Sequence, residues 1–330
     1  MTFTPIHPSE IENAHKRISP YLIRTPLMES QRLNNWLGHR LLFKMESFQR
    51  IGAFKARGAL NTLLTLKEQG HLPKHVVAFS SGNHGQAVAW AGSMLDIKTT
   101  VILPEFTSKI KQQATRGYGA DVILTKTRKE AEALCAEFAK QGAYFIHPFD
   151  NDNVIAGQGT ACYEALLDGP KPDAIFVTCS GGGWVSGTLL ASQLLCPDVP
   201  LYAGEPLQAN DASRSYQSGE IFRFHDSPPT IADGARTLSI TDRTFFYLKQ
   251  LAGFFDIPEQ DIIYWTQWLY QLLKVSVEPT SAVAMAAASQ WLKTQTTPKT
   301  LLVMISGGNI APETHRIIWE KSYLENTPGA

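Results

Sequence analysis

The chain has 330 residues, 44% of them hydrophobic and 18% charged, with 30 Lys plus Arg matched by 30 Asp plus Glu. That balance offers no field to gather polyanions, so neither nucleic acid nor a membrane surface is an expected partner. No run approaches the roughly 18 consecutive apolar residues of a membrane span.

The opening residues, MTFTPIHPSEIENAHKRI, lack the basic start and apolar run of a secretory signal. Cys135, Cys162, Cys179 and Cys196 are scattered, with no CxxC pair. Reduced, buried thiols and a cytoplasmic setting are therefore expected. Within KMESFQRIGAFKARGALN (44–61), Lys55 follows Gly52-Ala53-Phe54, and a helical pattern starts near Ala59. From about residue 75 apolar, β-branched runs alternate with segments of helical length. The runs are VVAFS (76–80), TTVILP (99–104), ADVILT (120–125), AYFIHP (143–148), DAIFVTC (173–179), PLYAGE (200–205) and TLLVMIS (300–306). The spacing predicts helices over 85–95 and 129–142, and irregular surface chain over Ser213–Thr230. Strands this apolar predict an α/β chain with open, mostly parallel sheets flanked by helices.

Ligands of such sheets bind where strands end in loops that lead into helices. Three of those loops are rich in Gly, Ser and Asn: SSGNHG after 76–80, SGGGWVSG after 173–179 and SGGN after 300–306. The glycine run at 181–183 lets backbone N–H groups approach a phosphate at a helix start. It is equally compatible with a tight structural turn. A dinucleotide reading also stands, with Gly181, Gly183 and Gly187 as a loose fingerprint and Glu205 as the ribose-binding acid. Lys55, flanked by small and apolar residues, is either a desolvated nucleophilic amine or a surface lysine at a helix start. Ser80, Ser81, Asn83 and His84 suit a carboxylate at a helix N-terminus, although helix capping needs one of them and His84 also fits a scaffold role.

Taken together, ESFQRIGAFKARGA, SSGNHGQAVA, SGGGWVSG, EPLQAND, TIADGART and SGGN resemble the fold-type II pyridoxal-phosphate (PLP) enzymes of the serine/threonine dehydratase and serine racemase family. The motifs keep the family's order and run from Lys44 to Asn309. The resemblance implies a tryptophan-synthase-β-like architecture, with a small domain (71–151) inserted into a large one (1–70 and 152–330). It implies that Lys55 holds PLP as a Schiff base and that Phe54 packs near the ring. Asn83 would bond the 3′-oxygen, and Ser306 the pyridine nitrogen. Ser180, Gly181, Gly182 and Gly183 would hold the phosphate. Ser80, Ser81, Asn83 and His84 would take the substrate carboxylate, with Ser81 as acid/base on the opposite face in racemases. Glu205, the Ala209 carbonyl and Asp211 would bind Mg²⁺ or Ca²⁺, and a solvated acidic turn is the plain alternative. A homodimer is implied as well.

Two departures stand out. Ser180 replaces the first of four glycines, and the bulky Trp184 follows the last, where it either narrows the pocket or packs in the core. With about 20 residues after SGGN, no isoleucine-type regulatory domain is expected. The expected reaction is loss of water from L-serine, L-threonine or a 3-hydroxyaspartate, giving a 2-oxo acid and ammonia. The alternatives are serine racemisation, a dinucleotide-dependent oxidoreductase, and a silent PLP- or ligand-binding protein.

Overall fold

A computed structural model describes residues 3–80, 82–105 and 107–329. Within them ten strands form two sheets: β1 (Leu27–Met28), β2 (Arg40–Met45), β3 (His75–Phe79), β4 (Lys98–Pro104), β5 (Asp121–Thr125), β6 (Tyr144–Phe145), β7 (Ala174–Thr178), β8 (Leu201–Pro206), β9 (Gly253–Ile257) and β10 (Thr300–Ile305). The six-stranded sheet has the order β1-β2-β10-β7-β8-β9, and the four-stranded sheet β5-β4-β3-β6. Every pairing is parallel except that of β1 with β2.

The large sheet is buried on both faces, and its side chains alternate between two cores. Leu302 and Met304 of β10, Ile175 and Val177 of β7 and Leu42 of β2 enter one. Leu301, Val303, Ile305, Ala174, Phe176, Leu41 and Phe43 enter the other. This two-residue period within continuous apolar strands is what a covered parallel sheet requires. The helix Gly183–Leu195 covers the first face. Helices Glu259–Leu273 and Pro279–Leu292 cover the second. Each fully buried Leu or Val contributes roughly 1.5–3 kcal/mol relative to exposure, so these two layers dominate the gain that offsets chain entropy.

Helix Lys55–Glu68 packs against Asp152–Asp168 so closely that a Cβ on Gly157 would lie 2.7 Å from the Arg57 carbonyl. The approach fixes the helix whose first residue is Lys55. Under it lies a buried ionic cluster. Arg57 makes a two-point bond to Glu46 (2.7 and 2.8 Å) and two bonds to Glu164 (2.9 and 2.8 Å). Lys44 donates to Glu164 (2.8 Å) and to the Thr25 carbonyl (2.7 Å). Two cations face two carboxylates, so the cluster is neutral as well as hydrogen-bonded, which buried charges need.

The structure adds β1, β2 and β9 to the expected strands. The predicted helices are Asn83–Met94 and Arg128–Lys140. The stretch from Ser213, expected to be irregular, begins inside helix Asp211–Ser218, which Gly219 ends at φ +79°. Among the described residues no helix is long and apolar enough to cross a membrane, and all four cysteines are buried and unpaired.

Candidate active site

The carboxyl ends of β2, β10, β7 and β8 lie side by side along one edge of the large sheet. They feed, respectively, the segments containing Lys55, Ser306, Ser180–Gly183 and Glu205–Asp211. Parallel pairing alone therefore gathers residues from four distant stretches of sequence at one edge.

Lys55 opens its helix, half-buried, and its Nζ donates to the Pro148 carbonyl at 2.9 Å. The turn before it is strained, because Ile51 sits at φ 60°, a left-handed conformation that β-branched residues avoid. Asn309 Nδ2 holds that turn by donating to the Ile51 carbonyl at 2.8 Å. A one-pair bridge between Ala53 and Gly307, and the bond from Phe54 N to the Ser306 carbonyl (3.0 Å), then join the Lys55 segment to the end of β10. Desolvation pulls the Lys55 amine from 10.5 down to about 8, with the Glu278 carboxyl opposing. A far larger share of neutral, nucleophilic amine results near neutral pH.

Ser306 is fully buried. Its Oγ lies 2.7 Å from Glu278 Oε1 and 2.8 Å from Ser281 Oγ. Asn83, the first residue of helix Asn83–Met94, donates from Nδ2 to Glu278 Oε2 at 3.0 Å, while its Oδ1 accepts from Asn309 at 2.8 Å. Asn83 Nδ2 also lies 3.4 Å from Glu278 Oε1, so the amide sits across both carboxyl oxygens. The structure thus brings Asn83 and Ser306 to a shared carboxyl that the sequence reading did not single out. Glu278 and Asn309 are its two omissions. The only trace in the sequence is that Glu278 precedes Pro279 at the start of a helix too apolar to lie on the surface.

Ser80 caps the carboxylate-type loop, its Oγ accepting from Gly82 N at 3.2 Å. Ser81 lies outside the described residues. His84 is buried, and its Nε2 must donate to the Ile146 carbonyl (2.8 Å), since that oxygen can only accept. Burial, with Lys55 nearby, lowers its pKa to about 3, so the ring is neutral.

In the glycine loop, Gly182 adopts φ +85° and precedes helix Gly183–Leu195. A Cβ on Gly181 would meet the Phe149 ring at 2.2–2.4 Å. Ser180 Oγ pairs with Thr237 Oγ1 at 2.5 Å. A helix start leaves N–H groups without intrahelical acceptors, a seat for an anion. Trp184 stacks on Phe54 with centroids 4.1 Å apart and is buried, so it packs in the core. The same stack holds the Phe54 ring, whose centroid lies 5.0 Å from Lys55 Nζ.

Glu205, Ala209 and Asp211 are all fully buried. Glu205 Oε2 accepts from Ser213 N at 2.7 Å, whereas Glu205 Oε1 and both Asp211 oxygens meet no partner. Burial and mutual repulsion raise the Glu205 carboxyl, and burial raises Asp211 to about 7. Orphaned buried carboxylate oxygens fit a hard cation with oxygen ligands. Among the described residues no group of three or more His, Cys, Asp or Glu side chains gathers to bind a metal, so carbonyls and water would have to complete such a site.

A profile of the family described as pyridoxal-phosphate dependent enzyme matches residues 18–307, most of the chain. The chain belongs to that family. Similar proteins include an L-threo-3-hydroxyaspartate ammonia-lyase of Saccharomyces cerevisiae, 37% identical over 91% of this chain and 92% of that protein. A serine racemase of Dictyostelium discoideum is 40% identical over 91% and 94%. Among solved structures, a T.th. threonine deaminase superposes with TM-score 0.87 at 39% identity, covering 93% of this chain and 99% of that one. The fold is accordingly that of the fold-type II PLP enzymes. PLP is the cofactor, which decides against the dinucleotide reading of the glycine loop.

Proposed function

We propose that this PLP-dependent enzyme is an ammonia-lyase that converts L-threonine, L-serine or a 3-hydroxyaspartate into a 2-oxo acid and ammonia. The observation that carries the reading is Lys55, a desolvated amine at the same sheet edge as the Ser180–Gly183 loop and Ser306. When bound, PLP supplies the electron sink that allows the substrate α-carbon to lose a proton. Lys55 is the residue that holds the cofactor and that takes and returns the proton at Nζ. Ser180, Gly181, Gly182 and Gly183 would hold the phosphate, and Asn83 Nδ2 would bond the 3′-oxygen. Phe54, fixed by its stack on Trp184, packs beside the ring. Ser306 would meet the ring nitrogen with a hydroxyl, which cannot hold that nitrogen protonated as a carboxylate would, and this would favour loss of a β-hydroxyl over transamination. Ser80, Ser81 and Asn83 would take the substrate carboxylate; His84, expected to join them, gives its one N–H to the Ile146 carbonyl and keeps only a lone pair at Nδ1.

The reading also divides the chain into a small domain (71–151) inserted in a large one (1–70 and 152–330), with the site in the cleft between them, where closure excludes water. It expects a cytoplasmic homodimer and a Mg²⁺ or Ca²⁺ ion held by Glu205, Asp211 and the Ala209 carbonyl.

The 40% identity to a serine racemase supports a second reading, in which Lys55 and Ser81 work on opposite faces of the α-carbon. A substrate panel scored for both 2-oxo acid release and enantiomer formation separates the two. The lyase reading expects 2-oxo acid in excess; inverted serine far in excess of pyruvate overturns it.

A further inference from the structure

We infer that Glu278 is a positioning residue that holds Ser306 and Asn83 at one carboxyl and, by gaining or losing a proton, sets which partner receives the Ser306 hydroxyl hydrogen. The inference rests on the proposed PLP site, whose ring edges those two residues face.

Glu278 caps helix Pro279–Leu292 and is 2% exposed. Its backbone N donates to the Gly307 carbonyl at 3.0 Å, and a Cβ on Gly307 would lie 3.1 Å from Glu278 Oε1. The carboxyl is thus fixed from both sides, Oε1 by Ser306 and Oε2 chiefly by Asn83, whose Nδ2 also reaches Oε1 at 3.4 Å. Charged groups facing it are Asp233, Lys111 of helix Lys109–Gly117, and Lys55. Lys111 is itself ion-paired with Asp233.

A hydroxyl has a single hydrogen to donate. Ser281 Oγ is placed to donate to the Gly307 carbonyl (3.0 Å) and accepts from Gly307 N (3.0 Å). The Ser306 hydrogen thus has two protein acceptors within reach, Glu278 Oε1 and Ser281 Oγ, and Glu278 is the one whose charge can change. When Glu278 is ionised, a charge-assisted bond draws that hydrogen to the carboxylate. When Glu278 is protonated, its own O–H donates to Ser306 Oγ, and the Ser306 hydrogen is released to Ser281 Oγ or, with PLP bound, to the ring nitrogen. Desolvation, reinforced by Asp233, pushes Glu278 from 4.5 up to about 7, so both forms are populated near neutrality.

The test uses the holoenzyme and apoprotein of wild type, Glu278→Gln and Glu278→Ala. Gln keeps both contacts in a form that does not titrate. The visible band of the bound cofactor is expected to shift with pH around a midpoint of about 7 in wild type and to lose that component in Glu278→Gln. Glu278→Ala is expected to weaken PLP binding about tenfold, the effect of losing one positioned hydrogen bond. Infrared spectra of the apoprotein below pH 7 are expected to show a protonated-carboxyl C=O signal that Glu278→Gln removes. A pH shift unchanged in Glu278→Gln, or no such infrared signal in wild-type apoprotein, overturns the inference. Absence of any cofactor band in wild type would instead overturn the PLP site, while the infrared arm still tests Glu278.

Discussion

Lys55 Nζ donates a 2.9 Å hydrogen bond to the carbonyl of Pro148, 93 positions further along the chain. The bond ties the first turn of the helix after β2 to the segment that leaves β6 in the other sheet. It fixes the direction of the amine without a carboxylate partner, so burial rather than ion pairing governs its protonation.

Cofactor capture reports on that directly. The neutral amine attacks, and desolvation has lowered its pKa to about 8 from 10.5. The rate at which apoprotein takes up PLP should rise with pH and level off just above 8. A rate still climbing past pH 10 would mean that the amine is solvated.

The ionic cluster beneath Lys55 gives a stability prediction. Burial acts to raise the Glu164 pKa, but Arg57 and Lys44 outweigh it and hold the carboxyl at about 2 against an ordinary 4.5. A depressed carboxyl contributes stability above its unfolded value and loses it as pH falls through the folded one. Glu164 should therefore contribute about 3 kcal/mol at neutral pH, fading between about pH 4.5 and 2. Arg57→Ala leaves buried Glu46 without a cation and Glu164 with Lys44 alone, and should cost roughly 3–5 kcal/mol, read as a lower denaturation midpoint. Urea titrations of both proteins across acid pH check the two statements together.

Gly181→Ala tests the phosphate seat. Its Cβ would press into the Phe149 ring at 2.2–2.4 Å, so either the loop or the ring must move. We expect PLP affinity to fall by at least about tenfold while circular dichroism stays native. Affinity equal to wild type would show that the loop does not hold the phosphate.

The sequence carried the fold class because β7 and β10 are apolar throughout, and their ends open into glycine- and serine-rich loops. It did not carry β2, since Lys44 interrupts that strand with a charge whose partner, Glu164, lies 120 positions away. β9 is a half-buried edge strand, too weakly apolar to register. In helix Asp211–Ser218, Asp211, Ser213, Ser215, Tyr216 and Ser218 rank low in helical propensity, so contacts more than composition make it helical. Glu278 and Asn309 escaped for the reason that hid β2. Their shared partner Asn83 is 195 and 226 positions distant, and local pattern carries no such pairing.

The Glu205–Asp211 site predicts a dependence on divalent ions. A cation that relieves those orphaned oxygens binds only the folded chain, and at 100 times its Kd should add about 2.7 kcal/mol. Chelation should lower the Tm of wild type and leave Glu205→Ala unchanged. Identical melting with and without Mg²⁺ or Ca²⁺ would assign the pair to a protonated structural role.

Borohydride reduction of the PLP-loaded protein, followed by peptide mass mapping, tests Lys55 most directly. A single pyridoxyl group is expected on the peptide containing Lys55, absent from Lys55→Ala. Modification of a different lysine, or none in wild type, would contradict it.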